Sequence, residues 1–137
     1  MGIISVIHRL GTVSQKVNWL KHGKLTNKEV LKYALSENRE LRRMTWEALN
    51  RDPSLIIKMA GREGFSSDVE RLFRRPDALP PTIAKVFAGL MFDPFQKEDV
   101  DRAVRILKFH PVTEQGEIMS ELGLLNRGLF GALRRFL

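Results

Sequence analysis

Apolar residues at Ile3, Val6, Leu10, Val13, Val17 and Leu20 recur at alternating spacings of three and four, the seam of an amphipathic helix. This pattern predicts a helical arm over residues 1–24, weakened by Gly11 in its middle. Further helical stripes follow: Val30, Leu31 and Ala34 with Tyr33; Leu41, Met44, Thr45, Ala48 and Leu49; Leu55 to Met59; Val100, Val104, Leu107 and Phe109; and a last amphipathic segment from Leu124 to Leu137. No stretch alternates with period two, so little or no sheet is expected. The most apolar run, Pro80 to Phe92, has Lys85 as its one charge. At about three turns it is too short to cross a bilayer, and in water it is stable only if other helices cover it. The expected fold is all-α: an N-terminal helix arm plus a bundle of about six short to medium helices around a central apolar helix, 81–92.

Boundary residues divide the chain. Thr26 with Glu29 forms a capping box, Ser36 is expected to cap the helix through Arg51, and Asp52-Pro53 opens the next one. Ser67 with Glu70 starts another, Asp93-Pro94 closes the apolar run, Thr113 is expected to cap Glu114 to Leu122, and Gly123 to break that helix. The stretch 76–81, with three prolines, predicts a stiff, extended hinge. It would separate a basic front half, 1–75, from a bundle half, 82–137, within one folded domain overall.

Charge sharpens this division. The net charge is +7 over 137 residues. Residues 1–51 hold ten Lys and Arg against four Glu, whereas residues 52–137 hold thirteen against twelve. The first acid is Glu29, so Arg9, Lys16, Lys21, Lys24 and Lys28 precede any neutralising group. Such asymmetry points to nucleic acid or an anionic membrane surface. The absence of cysteine excludes disulfides, thiolate nucleophiles and thiolate zinc sites. His8, His22 and His110 stand in no ligand spacing, and no phosphate-binding or nucleophile-elbow motif occurs, so no metal, cofactor or catalysis is expected. Arg9, Lys16 and Lys21 interrupt the early apolar residues, so no secretory signal peptide is expected; the location is left open, with the cytoplasm or a virion or nucleoprotein as the expectation.

The candidate nucleic-acid contacts are Arg9, Lys16, Lys21, Lys24, Lys28, Arg39, Arg42 and Arg43, with Trp46 one turn after Arg42 as a stacking surface. The candidate assembly contacts are Ile3, Val6, Leu10, Val13, Val17 and Leu20. The expected function is a non-enzymatic structural protein that binds nucleic acid, DNA in preference to RNA, largely without sequence preference, and self-associates. Packaging or a coat role fits, because the charge is spread over several helices. In general form the chain is similar to the all-helical coat proteins that wrap DNA in filamentous viruses, a similarity of architecture only. The alternative is a peripheral membrane or protein-binding adaptor or inhibitor using amphipathic ends, with membrane contact through 124–137, where Leu, Phe and Arg resemble interfacial peptides. A third reading rests on residues 115–134. There Ile118, Leu122, Leu124 and Leu129 around Gly123 resemble the helix-turn-helix of DNA-binding repressors, although Met119 stands where that family prefers a small residue.

Overall fold

A computed structural model describes residues 12–60, 67–90 and 97–137. Among these residues the chain forms nine α-helices and no strand. They are α1 (Val13–Lys21), α2 (Asn27–Ala34), α3 (Arg39–Arg51), α4 (Ser54–Ala60), α5 (Ser67–Phe73), α6 (Pro80–Leu90), α7 (Lys97–Phe109), α8 (Val112–Leu125) and α9 (Arg127–Arg134). The all-α class expected from the apolar periodicity is the observed one.

The core is built around α6. Pro80 and Pro81 occupy its first turn, where a missing N–H leaves no intrahelical bond unmade. Thr82, Ile83, Ala84, Val86, Phe87 and Leu90 are buried, and Lys85 is left in solvent. Helix α8 lies along α6 with Ile118, Met119 and Leu122 buried, while α4 and α3 pack on it from other directions. Phe73, at the end of α5, meets Phe87 edge to face with ring centroids 6.3 Å apart. Against α4 the approach is close: a Cβ on Gly89 would stand 2.7 Å from Ile57 Cδ1, so the Ile57 side chain would have to shift to admit one. Residues 91 and 92, expected to end this helix, lie outside the described residues.

Several boundaries differ from the pattern-based expectation, each for a local reason. Thr12 has extended backbone and caps α1 through a capping box, its N–H donating to Gln15 Oε1 at 2.9 Å and its Oγ1 accepting from Gln15 N–H at 3.2 Å. A helix therefore begins within the expected arm. Ser36 does not cap α3: its Oγ accepts from the Asn38 N–H, and Asn38 Oδ1 takes the Leu41 N–H at 3.1 Å. Helix α8 starts at Val112, ahead of Thr113, with Pro111 in the cap position and no side-chain cap. It then runs through Gly123 to Leu125. Gly123 is an ordinary helical position, where a Cβ would meet the Phe130 ring of α9 at 3.4 Å, van der Waals contact. The chain turns instead at Asn126, whose Oδ1 accepts from Leu129 N–H at 3.0 Å. The expected helix-turn-helix thus lacks its turn at Gly123. Phe109, expected inward, is 54% exposed.

The proline-rich stretch is not extended. Residues 74–78 fold into turns held against α3 chiefly by the Asn50 side chain, with Ala78 buried. Asn50 donates from Nδ2 to Asp77 O at 3.1 Å, and its Oδ1 accepts from Leu79 N–H at 3.2 Å and from Thr82 Oγ1 at 2.8 Å. Pro80 and Pro81 belong to α6. A second polar clamp is the buried His110. Its Nε2 donates to Phe73 O at 2.6 Å, and its Nδ1 faces Glu114 Oε2 at 3.0 Å, tying the end of α5 to the α7–α8 corner.

Asn50→Ala removes three hydrogen bonds at once and leaves the entry to α6 unpinned. Unfolding in urea should show a loss of about 2 kcal/mol or more in stability with little change in slope.

Candidate nucleic-acid interface

The expected basic contacts that lie among the described residues fall into two groups, those engaged with other side chains or the backbone and those that are free. Arg42 belongs to the first. Its Nη1 donates to Ser36 O at 2.8 Å, its Nε lies 4.0 Å from Asp77 Oδ1, and its side chain is only 24% exposed. Arg42 therefore joins the start of α3 to the 74–78 turns. Arg43 forms an i,i+4 ion pair with Glu47 at 2.7 Å, both side chains exposed. Lys16 is half-buried with its Nζ 6.0 Å from the centroid of the Tyr33 ring, a cation–π placement.

Trp46, expected as an exposed stacking surface, is 2% exposed. Its Nε1 donates to Ala34 O at 2.9 Å, satisfying a carbonyl in the last turn of α2. Its indole forms part of the lining of a hollow with Arg39, Arg42, Arg43, Glu47, Asn50 and Asp77, but its faces are spent on the core. Of the expected assembly seam, Val17 and Leu20 are buried within this chain, where α1 packs on α3, and Val13 is half-buried against the same core. At these positions the seam is used inside the chain instead of between chains. Ile3, Val6, Leu10 and Arg9 lie outside the described residues.

The free group is Lys21, Lys24, Lys28 and Arg39, all exposed and without an ion pair among the described residues. Local chain geometry puts three of them together. Helix α1 ends in a Schellman motif: Lys24 N–H donates to Trp19 O at 3.0 Å and Gly23 N–H to Leu20 O at 3.0 Å. Gly23, at φ 66°, supplies the left-handed residue that this motif needs. Three residues on, Thr26 opens α2 with the expected capping box, its N–H donating to Glu29 Oε1 at 2.9 Å and its Oγ1 accepting from Glu29 N–H at 3.3 Å. The tight exit and the early restart place Lys21 and Lys24 on one short connection and Lys28 in the first turn beyond it.

Two surface grooves adjoin this connection. Lys21 shares one of about 140 Å³ with Arg51, Asp52 and Leu55. Lys28 shares another of about 600 Å³ with Lys32, Arg71, Leu31, Leu35, Ser36 and Glu37. Arg51 and Arg71 were not among the expected contacts, because their proximity to the front lysines depends on how α3 and α5 pack. Trp19 was missed as well. It is half-buried beside Asn18, His22 and Lys24, and the signal was present in the run Trp19-Leu20-Lys21-His22-Gly23-Lys24, an indole next to a basic glycine turn. Among the described residues no group of His, Asp and Glu could hold a metal ion.

Compared with known proteins, the chain matches no family, no curated protein and no solved structure.

Burial, and then the nearby Glu29 carboxylate, push the Tyr33 phenol up to about 12. An unfolded tyrosine ionises near pH 10, so between about pH 10 and 12 the unfolded state has lost a proton that the folded state keeps. Stability present below pH 10 is therefore lost as pH rises through that window. Tyr33→Phe should flatten this part of the pH–stability curve relative to the unsubstituted chain, as read by thermal melts from pH 9 to 12.

Proposed function

We propose that this chain is a non-enzymatic nucleic-acid-binding protein that contacts phosphates through the connection between α1 and α2 and its flanking grooves. The observation that carries the reading is the set of exposed cations Lys21, Lys24, Lys28 and Arg39, unpaired among the described residues, in a stretch, residues 1–51, that holds four acids against ten Lys and Arg. Neutral design would pair them, as Arg43 is paired with Glu47. Cations spread over a turn and the starts of two helices suit a regular array of phosphates and carry no sequence code by themselves. Binding largely without sequence preference follows, in keeping with a packaging or nucleoprotein role. DNA is favoured over RNA only as the expected partner.

If about five phosphates are neutralised, by these four cations and Arg51, the log–log slope of duplex affinity against salt should be near −4.5. Reversing Lys21, Lys24, Lys28 and Arg39 to Glu should abolish binding at 100 mM salt and leave helicity and melting unchanged, because none of the four supports the fold. Unchanged affinity in that variant would remove this reading. Reversal of Arg43 alone should matter little.

A second reading is favoured by one feature, the terminal stretch in which Leu124, Leu125, Phe136 and Leu137 are exposed along with Arg127, Arg134 and Arg135. Among the described residues no helix is long and apolar enough to cross a membrane, so any lipid contact here would be interfacial. Leu129 and Leu133 are fully buried and close the bundle, which leaves only the flanks of α9 for such contact. On this reading, serine at the four exposed apolar positions should eliminate flotation with anionic liposomes at constant melting temperature. An unsubstituted chain that does not float would dismiss it.

A further inference from the structure

The Schellman turn that ends α1 does more than cluster lysines. By folding back so that Lys24 N–H bonds Trp19 O, it sets the Lys24 side chain beside the half-buried Trp19 indole. Asn18, Trp19, His22 and Lys24 line an open hollow of about 210 Å³. His22 is fixed there by its Nδ1, which faces Asn18 O at 2.8 Å and must donate to it, since a carbonyl only accepts; this leaves Nε2 as the remaining ring nitrogen. Among the described residues no acid lines the hollow, and Lys24 lines it exposed and without an ion pair, while Lys21 lies in the separate groove with Arg51 and Asp52.

We propose that this hollow is a stacking site for an unpaired nucleobase: a base of single-stranded nucleic acid lies against Trp19 while Lys24 holds the adjoining phosphate. The inference rests on the nucleic-acid reading above and narrows it. Stacking of a base on an indole is open to any flat ring, so the contact is tolerant of sequence. In a duplex each base face is already covered by its neighbours, so the hollow can engage only single strands, ends or flipped bases, and duplexes are left to the lysines alone. Charge decides between a base and another flat apolar group, because the exposed Lys24 in the lining, with no acid among the described lining residues, selects a ring that carries phosphate. Trp46 cannot serve this role, with its indole buried and its Nε1 bonded to Ala34 O.

The test uses the full chain with labelled oligo(dT) and a duplex of equal length, read by fluorescence anisotropy at one salt concentration. Trp19→Leu should weaken oligo(dT) binding about tenfold or more and change duplex affinity less than about twofold. Trp19→Phe, which keeps an aromatic face, should recover most of the loss. Intrinsic tryptophan emission of the unsubstituted chain should be quenched by oligo(dT), and the quenching should vanish in Trp19→Phe, where Trp46 alone remains. Equal losses on both ligands, or strong binding indifferent to both substitutions, would overturn the stacking site and leave phosphate contact standing. A folded chain that binds neither oligonucleotide would overturn the broader reading together with this one.

Discussion

The constraint on which the structure depends is the apolarity of α6. Eleven residues with a single charge cannot face water, so neighbours must be supplied from several directions, and the rest of the chain is arranged to supply them. Helix α8 covers one side, α4 closes on Gly89, and Phe73 reaches Phe87 from α5. Each fully buried large side chain contributes roughly 1.5–3 kcal/mol, so this one helix accounts for a large share of what offsets chain entropy. The polar clamps are consequences of that demand. Asn50 fixes where the helix begins, and His110 fastens the α5 carbonyl end to the α7–α8 corner, so that the apolar surfaces meet in one register.

The features legible in the sequence were those decided within a few residues. The apolar spacing marks the helices, the Thr26 and Glu29 pair marks the start of α2, and the double proline marks the start of α6. What could not be read depended on partners distant along the chain. Gly123 resembles a turn residue, yet the packing of α8 on α6 carries the helix through it to Leu125, and that burial outweighs the helix penalty of roughly 1 kcal/mol. The three prolines at 76–81 suggest an extended hinge, but Asn50, over twenty residues earlier, offers the donor and acceptor that make a folded turn more favourable. Thr12 and Gln15 are a local signal that the longer heptad-like pattern concealed.

The same distinction separates the two tryptophans. Trp46 lies beside arginines in sequence, which suggests a surface platform; only the arrival of α2 with an unmet carbonyl at Ala34 draws the indole inward. Arg42 is likewise turned to structural use by Ser36 and Asp77, neither of which its own helix could disclose. Trp19 sits among residues whose apolar spacing reads as a buried seam. Val17 and Leu20 do obey it, and Trp19 between them falls at the margin of the seam, where one part of the ring packs and another meets solvent.

The unpaired cations of residues 1–51 follow from how the four acids of that stretch are spent. Glu29 is held in the Thr26 capping box, and Glu47 is paired with Arg43. Of the remaining two among residues 1–51, Glu37 lines the groove with Lys28, Lys32 and Arg71 and is outnumbered there, and Glu40 stands in the first turn of α3, where the helix dipole favours an acid. Elsewhere acids and bases compensate directly, as where Glu70 meets Arg105 at 2.7 Å. A surface whose acids are committed to helix starts keeps a positive field over the α1–α2 connection that extends about a Debye length, roughly 8 Å at physiological salt. Such a field accelerates encounter with any polyanion but cannot discriminate among them. Discrimination requires a short-range contact, and on this surface the half-buried indole of Trp19 is the group placed to make one.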